Sequence, residues 1–347
     1  MSSQFTATLP TDQAALAEFL RAIFHAEAEV NSFRREVLHW KYFSTHPEWS
    51  GPRSYVVRET DRIVAHGGVW PLRLASASAE FNAIHLIDWA ASPAAPGTGV
   101  LLLRKMVEKA DLLVTVGGSS DTQAILPRIG FQCSGKLKMY ARVVRPWMQF
   151  RTGRGRTWKA PLRLIRNTAW SLSGLPPVPT GWDVARIPLF DSSTEPIVSK
   201  RPASTISSWR TVAGLNHLLS CPAARFSAFL LFQSKRLSGY FLLSQVANQT
   251  RIVDLCLASD DPSCWLQACR LATRTAAELQ DTCEIIAGFS SRWVQEALDQ
   301  SGFHLRKEDP IYCYDPRKLL GSAATLELSL LDGDACFASD PRNPYLA

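Results

Sequence analysis

The sequence predicts an α+β protein made of two tandem copies of one unit. Three observations carry this. Apolar residues alternate between helical and strand spacing along the whole chain. A nearly apolar run, 81–91, leads through a small-residue turn into a helix that opens on Gly97 and Gly99. Landmarks of the first half also return at one constant spacing, Gly67 with Gly239 and Gly130 with Gly302.

At 347 residues the chain is long enough for two cores. Hydrophobic residues make up 46% and charged residues 20%, which excludes a disordered chain. No apolar run reaches the ~20 residues that cross a bilayer. The first residues carry no basic stretch ahead of an apolar core. A cytoplasmic protein without a transmembrane segment is expected. Cysteines at 133, 221, 256, 264, 269, 283, 313 and 336 form no Cys-x-x-Cys and have no histidine at zinc spacing. They are expected to be reduced and mostly buried, with no metal site. The net charge is +7, yet Arg142, Arg145, Arg151, Arg154, Arg156, Lys159, Arg163 and Arg166 stand together with no acid among them. That segment is a solvated connector or a patch for an anionic acceptor, a membrane surface or a cofactor's phosphates.

Taken in order, residues 12–24 place Leu16, Phe19, Leu20 and Ile23 at helical spacing, with Thr11 or Asp12 to cap. Residues 34–43 are aromatic-rich. Runs 54–59 and 63–74 read as a hairpin turning at Thr60-Asp61-Arg62. Gly67 and Gly68 inside it mark a bulge or a close backbone approach. Residues 81–91 form the central strand, 99–110 a helix, 112–116 a short buried strand and 121–128 a second helix. Ile129-Gly130-Phe131 closes that helix, and 136–144 alternates as the unit's last strand.

This order resembles the GCN5-related N-acetyltransferases over residues 5–145. In that family the central strand ends in Gln/Arg-x-x-Gly-x-Gly/Ala; here the run is Ala94-Ala95-Pro96-Gly97-Thr98-Gly99. The family's late helix ends in Tyr-x-x-x-Gly-Phe; here it ends at Gly130-Phe131, with Leu126 where the tyrosine would stand. The resemblance implies a mixed, mostly antiparallel twisted sheet flanked by helices. It also implies acetyl-CoA, or another acyl-CoA, as the donor. Ala94 removes one phosphate-facing side chain, and Leu126 removes the usual general acid.

The second half echoes the first. Trp40-Lys41 returns as Trp209-Arg210, the hairpin as 226–233 and 237–245, and the central strand around Ile252-Val253-Asp254-Leu255. A helix over 264–280, a strand over 283–287 and a late helix over 293–300 complete the copy. Its loop, Ala258-Ser259-Asp260-Asp261-Pro262, lacks glycine and carries two acids that repel a diphosphate. The chain divides into a cofactor-binding unit at 1–145, a basic linker with a helix over 158–172 at 146–202, a degenerate copy at 203–318, and a tail at 319–347 that is expected to be loose at Pro341-Arg342-Asn343-Pro344.

Backbone N–H groups at a helix N-terminus suit a diphosphate. Through the resemblance, Gly97, Thr98, Gly99 and Val100 would hold it. Trp89, Ala90, Ala91 and Ser92 would pair with the pantetheine arm. Ser120 and Asp121 would touch the same arm. For the base that frees an amine, Asp88 interrupts an apolar strand, and desolvation would raise its pKa; the other reading is a structural carboxylate, which Asp254 at the matching place in the degenerate copy favours. His85 is an alternative base, and His66 could also point into the cleft. Tyr140 is a replacement acid. Trp40, Trp70 and Trp89 either line an acceptor pocket or belong to the core.

The expected activity is acyl-CoA-dependent N-acyl transfer to an amine of a small molecule or amino sugar, with no DNA partner. Two alternatives remain: a Fem-type transferase using charged tRNA, which would use the basic segment for RNA, and a degenerate copy acting as a binding module.

Overall fold

The computed structural model describes residues 3–27, 30–153, 158–200, 205–321, 325–342 and 344–347. Arg154, Arg156 and Asn343 therefore lie outside the described residues.

The first half begins with β1 (Ser3–Ala7) and α1 (Gln13–Phe24), whose Leu16 and Leu20 are fully buried. A short α2 (Arg35–Leu38) runs into a wide helical turn at His39–Phe43. The hairpin β2 (Ser54–Glu59) and β3 (Arg62–Ala75) turns at Thr60, which takes a φ of 56°. Then follow β4 (Glu80–Ala91), α3 (Thr98–Met106), β5 (Leu112–Val116), α4 (Ser120–Ile125) and β6 (Gln132–Val143). Helices α5 (Pro146–Thr152) and α6 (Ala160–Ser171) connect the halves.

The second half comprises β7 (Trp182–Ile187), α7 (Glu195–Val198), β8 (Ile206–Ser208) and α8 (Val212–Leu219), then β9 (Arg225–Gln233) and β10 (Arg236–Val246). After these come β11 (Gln249–Leu257), α9 (Pro262–Glu278), β12 (Glu284–Phe289), α10 (Arg292–Gln300), β13 (His304–Tyr314) and the short β14 (Leu326–Glu327).

One sheet holds all fourteen strands, with main order β1-β2-β3-β4-β5-β13-β6-β12-β11-β10-β9-β7. Neighbours are antiparallel except β4/β5, β11/β12 and β8/β14. The order is palindromic in the two halves, so the expected mixed, mostly antiparallel tandem architecture holds. The expectation that β6 closes the first unit does not. β13 pairs with β5, and β6 pairs with β12 and β13, so each half lends its last strand to the other. A strand's alternation fixes which face is buried and leaves its neighbour open.

The segment expected as a tail is packed into the body of the protein over its middle part. Leu326, Leu328, Leu330, Leu331, Cys336 and Phe337 are buried in the core that runs through both halves. These residues form a strap, and β14 pairs with β8. All eight cysteines are free; six are buried, Cys256 is half-buried and Cys133 is exposed.

Candidate functional site at the splayed strands

β4 and β5 pair only from Ala83/Leu112 to His85/Val114. Beyond that point β4 continues to Ala91 beside β3, and its other edge opens. Both strands end at this side, so α3 and α4 start there, where open α/β sheets place their ligands.

The turn between β4 and α3 is built from its own backbone. The Ser92 amide donates to the Val64 carbonyl (2.8 Å), which directs it toward β3. One residue earlier, Ala91 directs its amide to the opened edge. The Ser92 hydroxyl accepts the Ala94 amide, and Thr98 donates its hydroxyl to the Ala95 carbonyl (2.7 Å). Gly97 caps α3 at φ 86°, with no side-chain cap and open space where a Cβ would stand. Gly99 serves a different purpose. A Cβ there would lie 3.0 Å from Ala91 Cβ, and the half-buried Trp89 donates its indole N–H to the Gly99 carbonyl (3.2 Å). So Gly97 supplies the left-handed turn and Gly99 supplies close helix–strand packing. Among the described residues the amides of Gly97, Gly99 and Val100 have no protein partner. Across the opening, the Ser119 hydroxyl accepts the Thr122 amide and caps α4, which leaves Ser120 and Asp121 exposed.

The equivalent helix of the second half is closed. Asp261 accepts the Ser263 amide (2.9 Å) and hydroxyl (2.7 Å) at the start of α9, and Pro262 removes one N–H. A carboxylate already occupies the place that an anion would need.

Asp88 sits at a bulge in β4, where the register shifts opposite Gly67, and takes a φ of 47°. Its Oδ2 receives Lys41 Nζ and the Tyr42 hydroxyl, each at 2.5 Å. Lys41 is fully buried and also bonds Asp334 of the strap (2.7 Å). Burial alone would raise the Asp88 pKa, but the Lys41 charge and the two donors hold it below the usual carboxylate range. The expected upward shift is thus reversed by a neighbour that strand periodicity does not reveal. Asp88 Oδ1 has no hydrogen-bond partner among the described residues.

The other expected groups are placed differently. His66 is buried; its Nδ1 donates to the Asp88 carbonyl (2.9 Å), so its Nε2 accepts the Ser54 hydroxyl (3.0 Å). Burial pushes its pKa down to about 4. His85 is buried and donates from Nδ1 to the Asp332 carbonyl of the strap (2.6 Å); burial lowers its pKa too. Tyr140, expected as an acid of the first unit, lies on the exchanged β6 in the core of the second half. Burial raises its pKa to about 12. Ala90 is buried and pairs with His66. Trp40 and Trp70 pack around Phe337 and line a space of only about 40 Å³, room for water and not for an acceptor.

Asp254 repeats the Asp88 theme with every oxygen spoken for. Arg210 donates to both oxygens (3.1 Å each), Tyr240 to Oδ2 (2.9 Å) and Ser329 to Oδ1 (3.0 Å). Arg210 also reaches Asp332 at 2.5 Å. A cavity of about 320 Å³ lies beside this group, walled by Leu257, Trp265, Phe289 and Trp293. Lys41, Tyr42, Arg210 and the strap aspartates are the site residues that sequence reasoning passed over. The repeated Trp-Lys and Trp-Arg pairs were their only signal.

No protein-family model matches the chain, and no curated protein matches its sequence. Solved structures do match in fold. A conserved protein of unknown function from Enterococcus faecalis V583, described as a probable N-acyltransferase, aligns with TM-score 0.58 and 13% identity over 92% of this chain and 75% of that one. Saccharomyces cerevisiae N-myristoyltransferase with bound myristoyl-CoA aligns with TM-score 0.60 and 13% identity over 90% and 83%. A tandem GNAT protein from the clavulanic acid biosynthesis pathway aligns with TM-score 0.57 and 11% identity over 90% and 98%. With a palindromic sheet, central strand pairs that part after His85/Val114 in one half and Ile252/Ala287 in the other, and these likenesses over nine-tenths of the chain, the chain has the tandem GCN5-related N-acetyltransferase fold.

Proposed function

We propose that the chain is an acyl-CoA-dependent N-acyltransferase whose first half holds the donor and whose acceptor is the amine of a small molecule or amino sugar. One contrast carries this reading: α3 starts on an open, uncapped Gly97, whereas α9 starts on its own Asp261 carboxylate. Yeast N-myristoyltransferase, similar in fold, is solved with bound myristoyl-CoA, which supports an acyl-CoA donor here.

Acyl-CoA would supply an activated thioester carbonyl. The amides of Gly97, Gly99 and Val100, at the positive end of α3, would hold its diphosphate. The free edge of β4 from Trp89 to Ser92 would pair with the pantetheine arm, with Ser120 and Asp121 bordering it. The Ala91 amide is aimed at the opening and would stabilise charge growing on the carbonyl oxygen. Asp88 would receive the acceptor on Oδ1. Held ionised by Lys41, it would hold the acceptor's nitrogen by a charge-assisted hydrogen bond; the neutral amine attacks the thioester carbonyl, the C–S bond breaks, and the proton the nitrogen sheds is handed through Asp88 to the departing thiolate. Tyr42 and Lys41 position that carboxylate.

Titration of the full chain with acetyl-CoA tests the reading. Gly97→Asp would copy the second half's cap and abolish binding while leaving the melting temperature within a few degrees. Wild-type protein that binds no acetyl-CoA at millimolar ligand overturns it. A screen of amines for thiol release then separates an enzyme from a binding module.

A further inference from the structure

Helix α6 turns its apolar side to solvent. Trp158 just before it, then Leu162, Ile165 and Leu172, are 79%, 58%, 67% and 80% exposed. Together with exposed Ala169 they recur at helical spacing along one face. The fully buried residue of the helix is a polar one, Asn167, which donates to Gln149 of α5 (2.8 Å). The usual amphipathic order is therefore inverted. On α5, Trp147 stacks on Phe150 and is itself 61% exposed.

Charge surrounds this stripe. No Asp or Glu occurs from Arg142 to Trp182. Two of the cations are internal: Arg142 donates to the Ser301 and Gly174 carbonyls, and Arg145 to the Thr282 and Ala277 carbonyls. Arg151, Lys159 and Arg163 remain exposed beside the apolar row.

We propose that α5 and α6 form a peripheral membrane anchor that seats Trp158, Leu162, Ile165 and Leu172 at the headgroup boundary of an anionic bilayer. A row of aliphatic side chains, tryptophan at its end and a cationic rim are the physical profile of an interfacial helix. The acid-free segment complements negative lipid headgroups. At 12 residues α6 is too short to cross a bilayer. A second copy on the same face would set cation against cation. RNA gains from arginine and stacked aromatics but nothing from exposed Leu162 and Ile165.

Co-sedimentation of the full chain with vesicles tests this. Phosphatidylcholine alone is compared with phosphatidylcholine and phosphatidylglycerol in about equal parts. Binding is expected only to the anionic vesicles and is expected to weaken with salt. The double substitution Leu162→Gln and Ile165→Gln should weaken it about tenfold or more, and Lys159→Glu with Arg163→Glu should do the same. All four positions are exposed, so melting temperatures should not move. No sedimentation with anionic vesicles at low salt overturns the proposal, as does binding that the double substitution leaves intact. A dimer dissolved by the same double substitution, or binding of transfer RNA without vesicle binding, assigns the face to another occupant and equally overturns it.

Discussion

Lys41 and Arg210 hold the same place in the two halves: each is a cation, Lys41 buried and Arg210 nearly so, that ties the central strand's aspartate to the C-terminal strap. Lys41 joins Asp88 to Asp334, and Arg210 joins Asp254 to Asp332. The strap thus locks both splayed strand pairs with one crossing. Neither cation is a surface ion pair of small worth; each is desolvated, and its removal strands two carboxylates.

Lys41→Met should cost about 3–5 kcal/mol of stability. The loss arises because Asp88 and Asp334 lose their shared counter-charge. Adding Asp88→Asn should return part of it, since one stranded charge is then gone. Urea midpoints of the three proteins measure this. A double variant no more stable than Lys41→Met means that the pair is not the coupling point.

Asp88 and Asp254 should separate function from stability. Asp254 has both oxygens filled, so Asp254→Asn should lower stability by about 3 kcal/mol, with turnover per folded molecule retained. Asp88 keeps Oδ1 free, so Asp88→Asn should lower kcat by about a hundredfold or more. The comparison needs thiol-release rates and denaturation midpoints on both variants. Equal loss of turnover in the two removes the assignment of chemistry to the first half.

Local order was legible in the sequence because periodicity reports it directly. The hairpins, α1, α6 and the strand at Leu112–Val116 stand where their apolar spacing puts them. The shared Gly130 and Gly302 positions, both left-handed before a buried phenylalanine, carried the repeat. Partnership was not legible. Nothing in the β6 pattern says that its neighbours come from residues 284–289 and 304–313. The strap mixes Leu326, Leu330 and Phe337 with Asp332, Gly333 and Asp334, which reads as tail composition until the buried cations are known. Asp88 was visible as an interruption, but its ionisation depends on Lys41, which is distant in sequence.

The exchanged strands should make the two halves inseparable. A fragment ending at residue 145 would leave β5 without β13 and β6 without either neighbour, exposing three unpaired edges. It should aggregate or remain unfolded, while the whole chain melts in one transition. Calorimetry decides this: a van't Hoff to calorimetric enthalpy ratio near one is expected. Two resolved transitions, or a soluble and cooperatively folding fragment, would contradict it.

Acid should unfold the protein through its buried and half-buried histidines. Burial pushes His66 down to about 4, His217 to about 4, and His46, beside Arg53, to about 3. The folded chain resists protons that the unfolded chain binds near pH 6.5. Their contribution is therefore complete above that pH and is lost as pH falls toward about 4. His66 is fully buried, and alone it should remove about 2 kcal/mol between pH 7 and pH 5. His66→Gln should be less stable at pH 7, because the bonds to Ser54 and the Asp88 carbonyl are disturbed. Between pH 7 and pH 5 it should lose about 2 kcal/mol less than the wild type. Urea midpoints at the two pH values measure both slopes, and equal slopes would mean that His66 takes up no proton on unfolding in this range.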